Sequence, residues 1–339
     1  MSEARILLLR PDKAGDAIKT LPALRALRLA RPDLEIHILS SEHNSSLFET
    51  EPGVINHELP HQWQQWRPAR LRGYLLAGGM PTSFSVAVNL LCDSFSDVDR
   101  LVSLVPALRK FSIAKTDWDS HTSPDLNVVQ LPESAPAGRD ETRNISDILS
   151  SAFECDVAAF LGKTNGAPVL TLEDRAEAEK LLPATDQRRI GICPFAGTVQ
   201  RSHSLKRWSK LLHKLSTKAD SIEWVVYCPE SQREAAAALL PEKSNARFHI
   251  VSPPRFRVLA ACFEKMDAVV AVDSGPLHLA QAMEIPVLGF LSGGDSARWF
   301  AKPNPQDLLL RRGLLSRFPS YLEMWWALKR WVSPLPQRS

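Results

Sequence analysis

Long apolar runs are missing from this chain. Near its start the stretch Ile6 to Leu9, within MSEARILLLRPDKAGD, gives way to charge at Arg10, too soon for the core of a signal peptide or for a membrane span. A cytoplasmic protein is expected, neither exported nor integral to a membrane. Cysteine is sparse and unpaired. Cys92, Cys155, Cys193, Cys228 and Cys262 are an odd number with no Cys-x-x-Cys spacing, which argues against a disulfide framework and fits a reducing compartment. Cys193 and Cys228 fall in strand-like apolar runs, where a thiol acts as a small hydrophobe. A surplus of one charge sign is also lacking. Lys+Arg 41 against Asp+Glu 38 gives only +3, no bulk argument for a nucleic-acid partner or an anionic membrane.

The familiar cofactor motifs are absent too. There is no G-x-x-x-x-G-K-[ST], no G-x-G-x-x-G at the first turn, no H-E-x-x-H and no paired Cys/His ligand spacing, so P-loop and hydride-transfer chemistry lose support and no metal site is expected. Asp97-Val98-Asp99 has the letters of a metal-holding D-x-D, but it lies in the first half of the chain, away from the loops read below as a diphosphate site.

What is present is a globular composition, 44% hydrophobic and 23% charged over 339 residues, long enough for two domains with a cleft between them. A strand at Arg5 to Leu9, a helix over Asp16 to Ala30 and a strand at Glu35 to Leu39 read as a parallel βαβ unit. In that helix Ile18, Leu21, Leu24 and Leu27 form an apolar side, and Lys19, Arg25, Arg28 and Arg31 a basic exposed one. Strands are expected at Val54 to Leu59 and Phe84 to Leu90, with Trp63, Trp66, Arg67, Arg70 and Arg72 clustered between them. From Ser112 to Arg143 the polar, Pro-containing sequence reads as surface loops. A helix from Asn144 to Leu161 leads into Gly162-Lys163-Thr164-Asn165-Gly166-Ala167-Pro168, the best linker candidate. The second half alternates more cleanly, with strands at Arg189 to Cys193, Ile222 to Tyr227, Phe248 to Val251, Ala268 to Val272 and Val287 to Phe290. Their unbroken apolar character fits a parallel sheet covered on both faces. The expected fold is α/β, two Rossmann-like doubly wound parallel-sheet domains facing across a cleft. They comprise residues 1–164 and 165–318, with an amphipathic helix in 319–339, at Tyr321 to Val332, packing across the junction.

Open parallel sheets bind ligands beyond the carboxyl ends of their strands, which directs attention to three loops. In Arg10-Pro11-Asp12-Lys13-Ala14-Gly15-Asp16, Gly15 permits close backbone approach and Asp16 heads a helix, as a reactive carboxylate or simply as its N-cap. In Asp273-Ser274-Gly275-Pro276-Leu277-His278, Asp273 or Ser274 caps a helix whose first N–H groups would face an anion. His278 could donate to the same anion or be structural. In the stretch from Pro194 to Trp208, Thr198 offers a hydroxyl and Lys206 a point charge for phosphate, unless this is only a solvated basic loop. Glu230, after the strand ending at Tyr227, is placed to accept from ribose hydroxyls or to cap a helix.

Taken together, Arg10-x4-Gly15-Asp16-x5-Pro22-Ala23-Leu24, Lys206-Arg207-Trp208 and Asp273-Ser274-Gly275-Pro276-Leu277-His278-Leu279-Ala280 resemble the bacterial ADP-heptose:lipopolysaccharide heptosyltransferase family, which has the GT-B fold. The resemblance implies an enzyme with Asp16 as general base, diphosphate contacts from Lys206, Ser274, Gly275 and His278, and Glu230 as the ribose carboxylate. It also implies Thr198 near the phosphates and Asp273 bracing the donor loop. Where the family commonly reads F-G-x-T-D-P, this chain has Leu291-Ser292-Gly293-Gly294-Asp295-Ser296. The function implied is an inverting, metal-independent transfer of a heptose or related sugar from an ADP-sugar to a lipopolysaccharide core-type or other glycolipid acceptor. No resident cofactor is expected, the nucleotide sugar being a substrate, and no nucleic acid. Arg25, Arg28, Arg67, Arg70 and Arg72 suggest either peripheral contact with the inner face of the inner membrane or merely a solvated basic surface. The alternatives are a glycosyltransferase of the same fold with another nucleotide sugar, and a non-catalytic sugar-nucleotide or glycan-binding protein.

Overall fold

The computed structural model describes residues 4–91, 98, 101–102, 104–114, 127–130, 140–198, 204–217, 222–244, 246–291, 305–311 and 319–332. The chain divides into two compact units, Met1–Val169 and Leu170–Ser339. In the first, the elements run β1 (Ala4–Leu9), α1 (Ala14–Ala30), β2 (Leu34–Ser40), α2 (Ser45–Phe48), β3 (Val54–Glu58), α3 (Pro68–Ala77), β4 (Phe84–Asn89), β5 (Ala107–Ala114), β6 (Asn127–Gln130) and α4 (Glu141–Phe153). In the second they run α5 (Leu172–Leu181), β7 (Arg188–Cys193), α6 (Leu205–Ser216), β8 (Ile222–Tyr227), α7 (Arg233–Ala237), β9 (Arg247–Val251), α8 (Phe256–Phe263), β10 (Ala268–Val272), α9 (Gly275–Ala282), β11 (Val287–Phe290), β12 (Leu308–Leu310) and α10 (Tyr321–Val332).

Each unit holds a six-stranded sheet, ordered β3-β2-β1-β4-β5-β6 and β12-β11-β10-β7-β8-β9, and the paired strands are parallel. Both orders are the doubly wound Rossmann arrangement, in which the chain reverses direction across the sheet between the first and fourth strands. That confirms the expected class. The central strands are uniformly apolar because helices cover both faces, and Ile6, Leu7, Leu8 and Leu9 are all fully buried. In the second unit α10 lays Met324, Leu328, Trp331 and Val332 onto the same core as Trp208 and Phe290.

Several boundaries depart from the sequence reading. The stretch 112–143, expected to be loops, contains the end of β5, all of β6 and the start of α4. β6 is a short edge strand in polar sequence, which periodicity resolves poorly. The helix expected over 144–161 is α4 followed, after Glu154 in the left-handed region (φ 52°), by a 3-10 segment at Ala158–Lys163.

The division falls at Val169/Leu170 rather than at 164/165 because side chains tie the linker to the first unit. Arg25 donates to Asn165 O, Asn165 Oδ1 and Ala167 O at 2.8, 2.7 and 2.9 Å, and Thr50 Oγ1 to Val169 O at 2.8 Å. The basic exposed side expected on α1 is therefore largely engaged. Arg25 also forks onto buried Glu51 (2.8 and 2.7 Å), and Arg31 grips Asp33 and reaches Phe153 O.

A buried pair of imidazoles links β2 and β3. His37 Nδ1 lies 2.8 Å from His57 Nε2, and His37 Nε2 lies 2.7 Å from Glu35 Oε1, itself held by Arg5 at 2.9 Å. The rings stack with centroids 5.1 Å apart. Burial, reinforced by His37, holds His57 down to about 4, and burial also lowers His37 against the pull of Glu35. An unfolded histidine titrates near 6.5. The unfolded chain therefore takes up a proton between pH 6.5 and 4 that the fold refuses, and stability is full above this window and lost as pH falls through it. The slope is up to roughly 1.4 kcal/mol per pH unit per proton. Urea midpoints measured from pH 7 to 4 are expected to fall less steeply in His57→Gln than in the wild type, and parallel curves would contradict this.

Candidate functional site

In the first unit the reversal point lies between β1 and β4, where Leu9 stands opposite Asn89 and the loop beginning at Arg10 leaves the sheet. This loop is firmly held. Arg10 N donates to Leu39 O at 2.9 Å, Asn44 Nδ2 to Arg10 O at 2.7 Å and Ser41 Oγ to Asp12 O at 3.0 Å. The Arg10 side chain is 1% exposed; it donates to Leu90 O, places Nε 3.2 Å from Asp12 Oδ1 and Nη2 3.8 Å from Glu141 Oε1. Asp16 is half-buried in the first turn of α1. The N-cap position belongs to Lys13, to whose carbonyl Asp16 N donates at 3.1 Å. The N-cap alternative for Asp16 is thus corrected, because the helix begins two residues earlier, at Ala14.

Charges crowd this end of the sheet. Burial pushes the Asp12 carboxyl up to about 8; Asp16 and Glu141 add to the rise and Arg10 opposes it. Burial lowers Lys19, against the pull of Asp140 and Glu141. Asp12, Asp16, Asp140 and Glu141 thus share their surroundings with two cations, Arg10 and Lys19. The result is an Asp12 carboxyl that keeps its proton near neutrality beside Asp16, the kind of perturbed group that acid–base chemistry uses. Sequence reasoning singled out Asp16 and quoted Arg10 and Asp12 in the same loop, but it gave Asp12 no role, placed Lys19 on an exposed basic side and missed Glu141. Glu141 comes from α4, and nothing local in the sequence reports that it meets Arg10.

In the second unit β10 and β7 flank the reversal, with Ala271 opposite Cys193. The loops carrying Thr198 and Asp273 therefore leave the sheet side by side. Ser274 is the N-cap residue of α9, but its hydroxyl donates back to Val272 O at 3.1 Å and makes no capping bond to this helix. Pro276 occupies the first turn beside Gly275. An uncapped helix start with backbone N–H groups directed beyond the sheet is a seat for an anion. His278 is buried in the same turn, while Asp273 and Thr198 are half-buried.

Lys206 is exposed in the first turn of α6. With Arg207 it puts cations at the positive end of a helix dipole, an arrangement that costs stability unless an anion offsets it. Glu230 begins a 3-10 turn after β8; its side chain is largely exposed and lies 3.7 Å from Arg233 Nη1. It is the N-cap of neither this turn nor α7, which removes the helix-capping alternative.

Of the cysteines, Cys193, Cys228 and Cys262 are buried and Cys155 half-buried. Burial pushes the thiols of Cys193 and Cys262 up, so they are not nucleophiles. Cys92, Asp97, Asp99, Arg201 to His203 and the departing loop from Ser292 to Ser296 lie outside the described residues. No group of three or more His, Cys, Asp or Glu able to hold a metal is present among the described residues.

Solved structures share this two-domain fold. The glycosyl transferase family 9 protein from Veillonella parvula DSM 2008 is 15% identical with a TM-score of 0.73, over 91% of this chain and 87% of that one. The E. coli heptosyltransferase WaaC with ADP is 16% identical (TM-score 0.67; 96% and 97% covered). E. coli ADP-heptose lps heptosyltransferase II is 14% identical (TM-score 0.70; 96% and 98%). No curated protein matches the sequence. The fold is therefore the one these structures share. Residues 150–303 match the model of glycosyltransferase family 9 (heptosyltransferase), a stretch that includes every second-unit candidate from Thr198 to His278. The match over residues 150–303 supports a heptosyltransferase-family glycosyltransferase, and the solved structures share its fold.

The Asp12 shift has a consequence for stability. Its folded value of about 8 lies above the unfolded one near 3.9. Its contribution is therefore fully present below about pH 4 and is lost as pH rises toward 8, where the fold must bury a charge. Asp12→Asn is expected to melt higher than the wild type, with a gain that grows from pH 4 to 8 and reaches on the order of 3 °C. Thermal denaturation across this range checks it, and a gain independent of pH would refute the buried, protonated carboxyl.

Proposed function

We propose that the chain transfers a heptose or related sugar from an ADP-sugar to a lipopolysaccharide core-type or other glycolipid acceptor, with inversion and without a metal. The observation that carries this reading is that each unit by itself holds a distinct site at the reversal point of its sheet: Asp16 among buried charges in the first, and a helix start at Ser274-Gly275 without an N-cap side-chain bond in the second. The ADP in the WaaC structure supports adenosine diphosphate as the leaving group.

Asp16 takes the proton from an acceptor hydroxyl as that oxygen attacks the anomeric carbon. The bond from that carbon to the diphosphate oxygen breaks on the opposite side, inverting the centre and releasing ADP. Charge accumulates on the departing diphosphate, where Gly275 and Ser274 at the helix start, Lys206 and His278 are assigned to receive it. Thr198 supplies a hydroxyl, Asp273 braces its loop, and Glu230, with most of its carboxylate exposed, accepts from the ribose. These roles extend the family resemblance onto residues whose placement is compatible with them.

A second reading keeps the chemistry and changes the donor sugar. It is favoured by the departure from the family pattern after Leu291, since the diphosphate contacts above do not read the sugar itself. A lipid-linked acceptor also calls for peripheral contact with the inner membrane face. No helix among the described residues is long and apolar enough to cross a membrane.

Asp16→Ala is expected to lower turnover by about 10² to 10⁴ while leaving ADP affinity nearly unchanged. Lys206→Ala is expected to weaken ADP binding by about 1.5 to 3 kcal/mol. Transfer assays over a panel of nucleotide sugars, with calorimetric titration of ADP, measure both. Near wild-type turnover in the first variant removes the base assignment, and unchanged ADP affinity in the second removes the phosphate contact.

A further inference from the structure

Helix α6 carries no acidic residue in its sequence LKRWSKLLHKLS. Trp208, Leu211, Leu212 and Leu215 are buried, and the opposite side presents Lys206, Lys210, His213 and Lys214, all exposed. Neighbouring α10 repeats the pattern with an apolar addition. Met324, Leu328 and Trp331 face the core, while Leu322, Trp326, Lys329 and Arg330 follow one another at i, i+4, i+7 and i+8 on the solvent side.

Leu322 and Trp326 are 63% and 62% exposed, unusual for residues of this size on a helix whose other large side chains are packed. The two helices meet along an open groove of about 610 Å³ lined by Lys206, Lys210, Lys214 and Tyr321, where Lys214 Nζ stands 5.8 Å from the Trp325 ring centre. The one acid of α10, Glu323, is turned to its own helix start, accepting from Ser320 N.

We propose that this face of the second unit, formed by α6 and α10, is a docking surface for an anionic lipid bilayer. A ridge of leucine and tryptophan flanked by lysine and arginine is what an interfacial helix uses. The apolar side chains enter the headgroup boundary, the indole sits at its polar edge, and the cations meet anionic headgroups. Charge complementarity selects an anionic surface over a neutral one. The exposed aliphatic Leu322 selects a bilayer over a soluble polyanion, which would gain nothing from it. The surface deepens the membrane contact proposed above by naming where it is made. It differs from the arginines first suspected, of which Arg25 is spent on Glu51 and the linker and Arg70 stacks on Trp66 at 4.0 Å. It does not depend on the sugar-transfer chemistry.

Flotation of the full chain with vesicles of phosphatidylcholine alone, or with 30 to 40% (about one third) phosphatidylglycerol, tests it. Binding is expected to the anionic vesicles and to weaken as salt rises, because exposed charges are screened beyond about 10 Å at 0.1 M salt. The pair Lys210→Ala with Lys214→Ala is expected to lose roughly 10- to 30-fold in affinity, and Leu322→Ser with Trp326→Ser to lose a similar factor. All four side chains are exposed, so melting temperature and turnover on a lipid-free acceptor should hold, which separates failure of this surface from failure of the proposed reaction. Absence of vesicle binding by the wild type overturns the proposal. So does binding equally strong in both double variants, or binding that the lysine pair abolishes and the Leu322/Trp326 pair leaves unchanged, the behaviour of a soluble polyanion site.

Discussion

A parallel sheet must be covered on both faces, and that requirement positions every candidate group in this protein. Covering both faces forces the chain to start in the middle of each sheet, build outward on one side and return to build on the other. The two strands at the reversal, β1 with β4 and β7 with β10, then send their following loops to opposite sides and leave backbone unshielded between them. Arg10 to Asp16 occupies that place in the first unit, and 194–198 with Asp273 to Gly275 in the second. Neither loop needs a glycine-rich fingerprint to be a ligand site, since topology alone supplies the opening and the helix start beneath it.

Within this frame the chemistry of each site follows from what is buried near it. In the first unit a guanidinium almost without solvent contact cannot stand uncompensated, so Asp12 and Glu141 gather around Arg10. Burial, with smaller contributions from Asp16 and Glu141, then makes Asp12 hold its proton. In the second unit compensation is withheld. Ser274 turns its hydroxyl to Val272 O, leaving the helix start without a side-chain cap, and Lys206 and Arg207 sit at the wrong end of α6 for its dipole. The first site is thus set up to handle a proton and the second to receive negative charge, a division that matches the family resemblance without having been read from it.

Much of this was legible in the sequence because the relevant signals are local. Ala268 to Val272 announces a strand covered on both faces, and the polar residues that follow it mark a loop at a helix start. Three strands were not legible for equally physical reasons. β5 runs through Arg109, Lys110 and Ser112, β6 is four residues long in polar surroundings, and β12 follows a stretch with no clear period. β6 and β12 are edge strands, whose sequences need little apolar pattern, while β5 lies inside its sheet and was hidden by its charged residues. The role of Arg25 was misjudged for a related reason. Helical periodicity places it on a polar side, but only the fold reveals that Glu51 and the backbone of Asn165 and Ala167 wait there. The contact of Glu141 with Arg10 is of the same kind.

The two edges of the second sheet are built on opposite terms. At the amino edge, buried charges are held in named pairs. Arg189 pairs with Glu223 at 2.8 Å with both side chains buried, and its backbone N–H donates to Asp267 at 2.7 Å. Asp307 likewise accepts from Val287 N at the start of β11, and from Gln281. At the carboxyl edge the matching stops, with cations crowded at the start of α6 and an uncapped α9. The first unit follows the same rule, with Arg5 and Glu35 paired near the amino ends of β1 and β2 and the surplus carboxylates beyond the carboxyl end of β1. Unmatched polar groups cost stability wherever they occur. Where they gather beside the loops at the reversal points of both sheets, the surplus carboxylates of the first unit and the exposed cations and uncapped helix start of the second argue together for ligand binding, more strongly than any single residue identity.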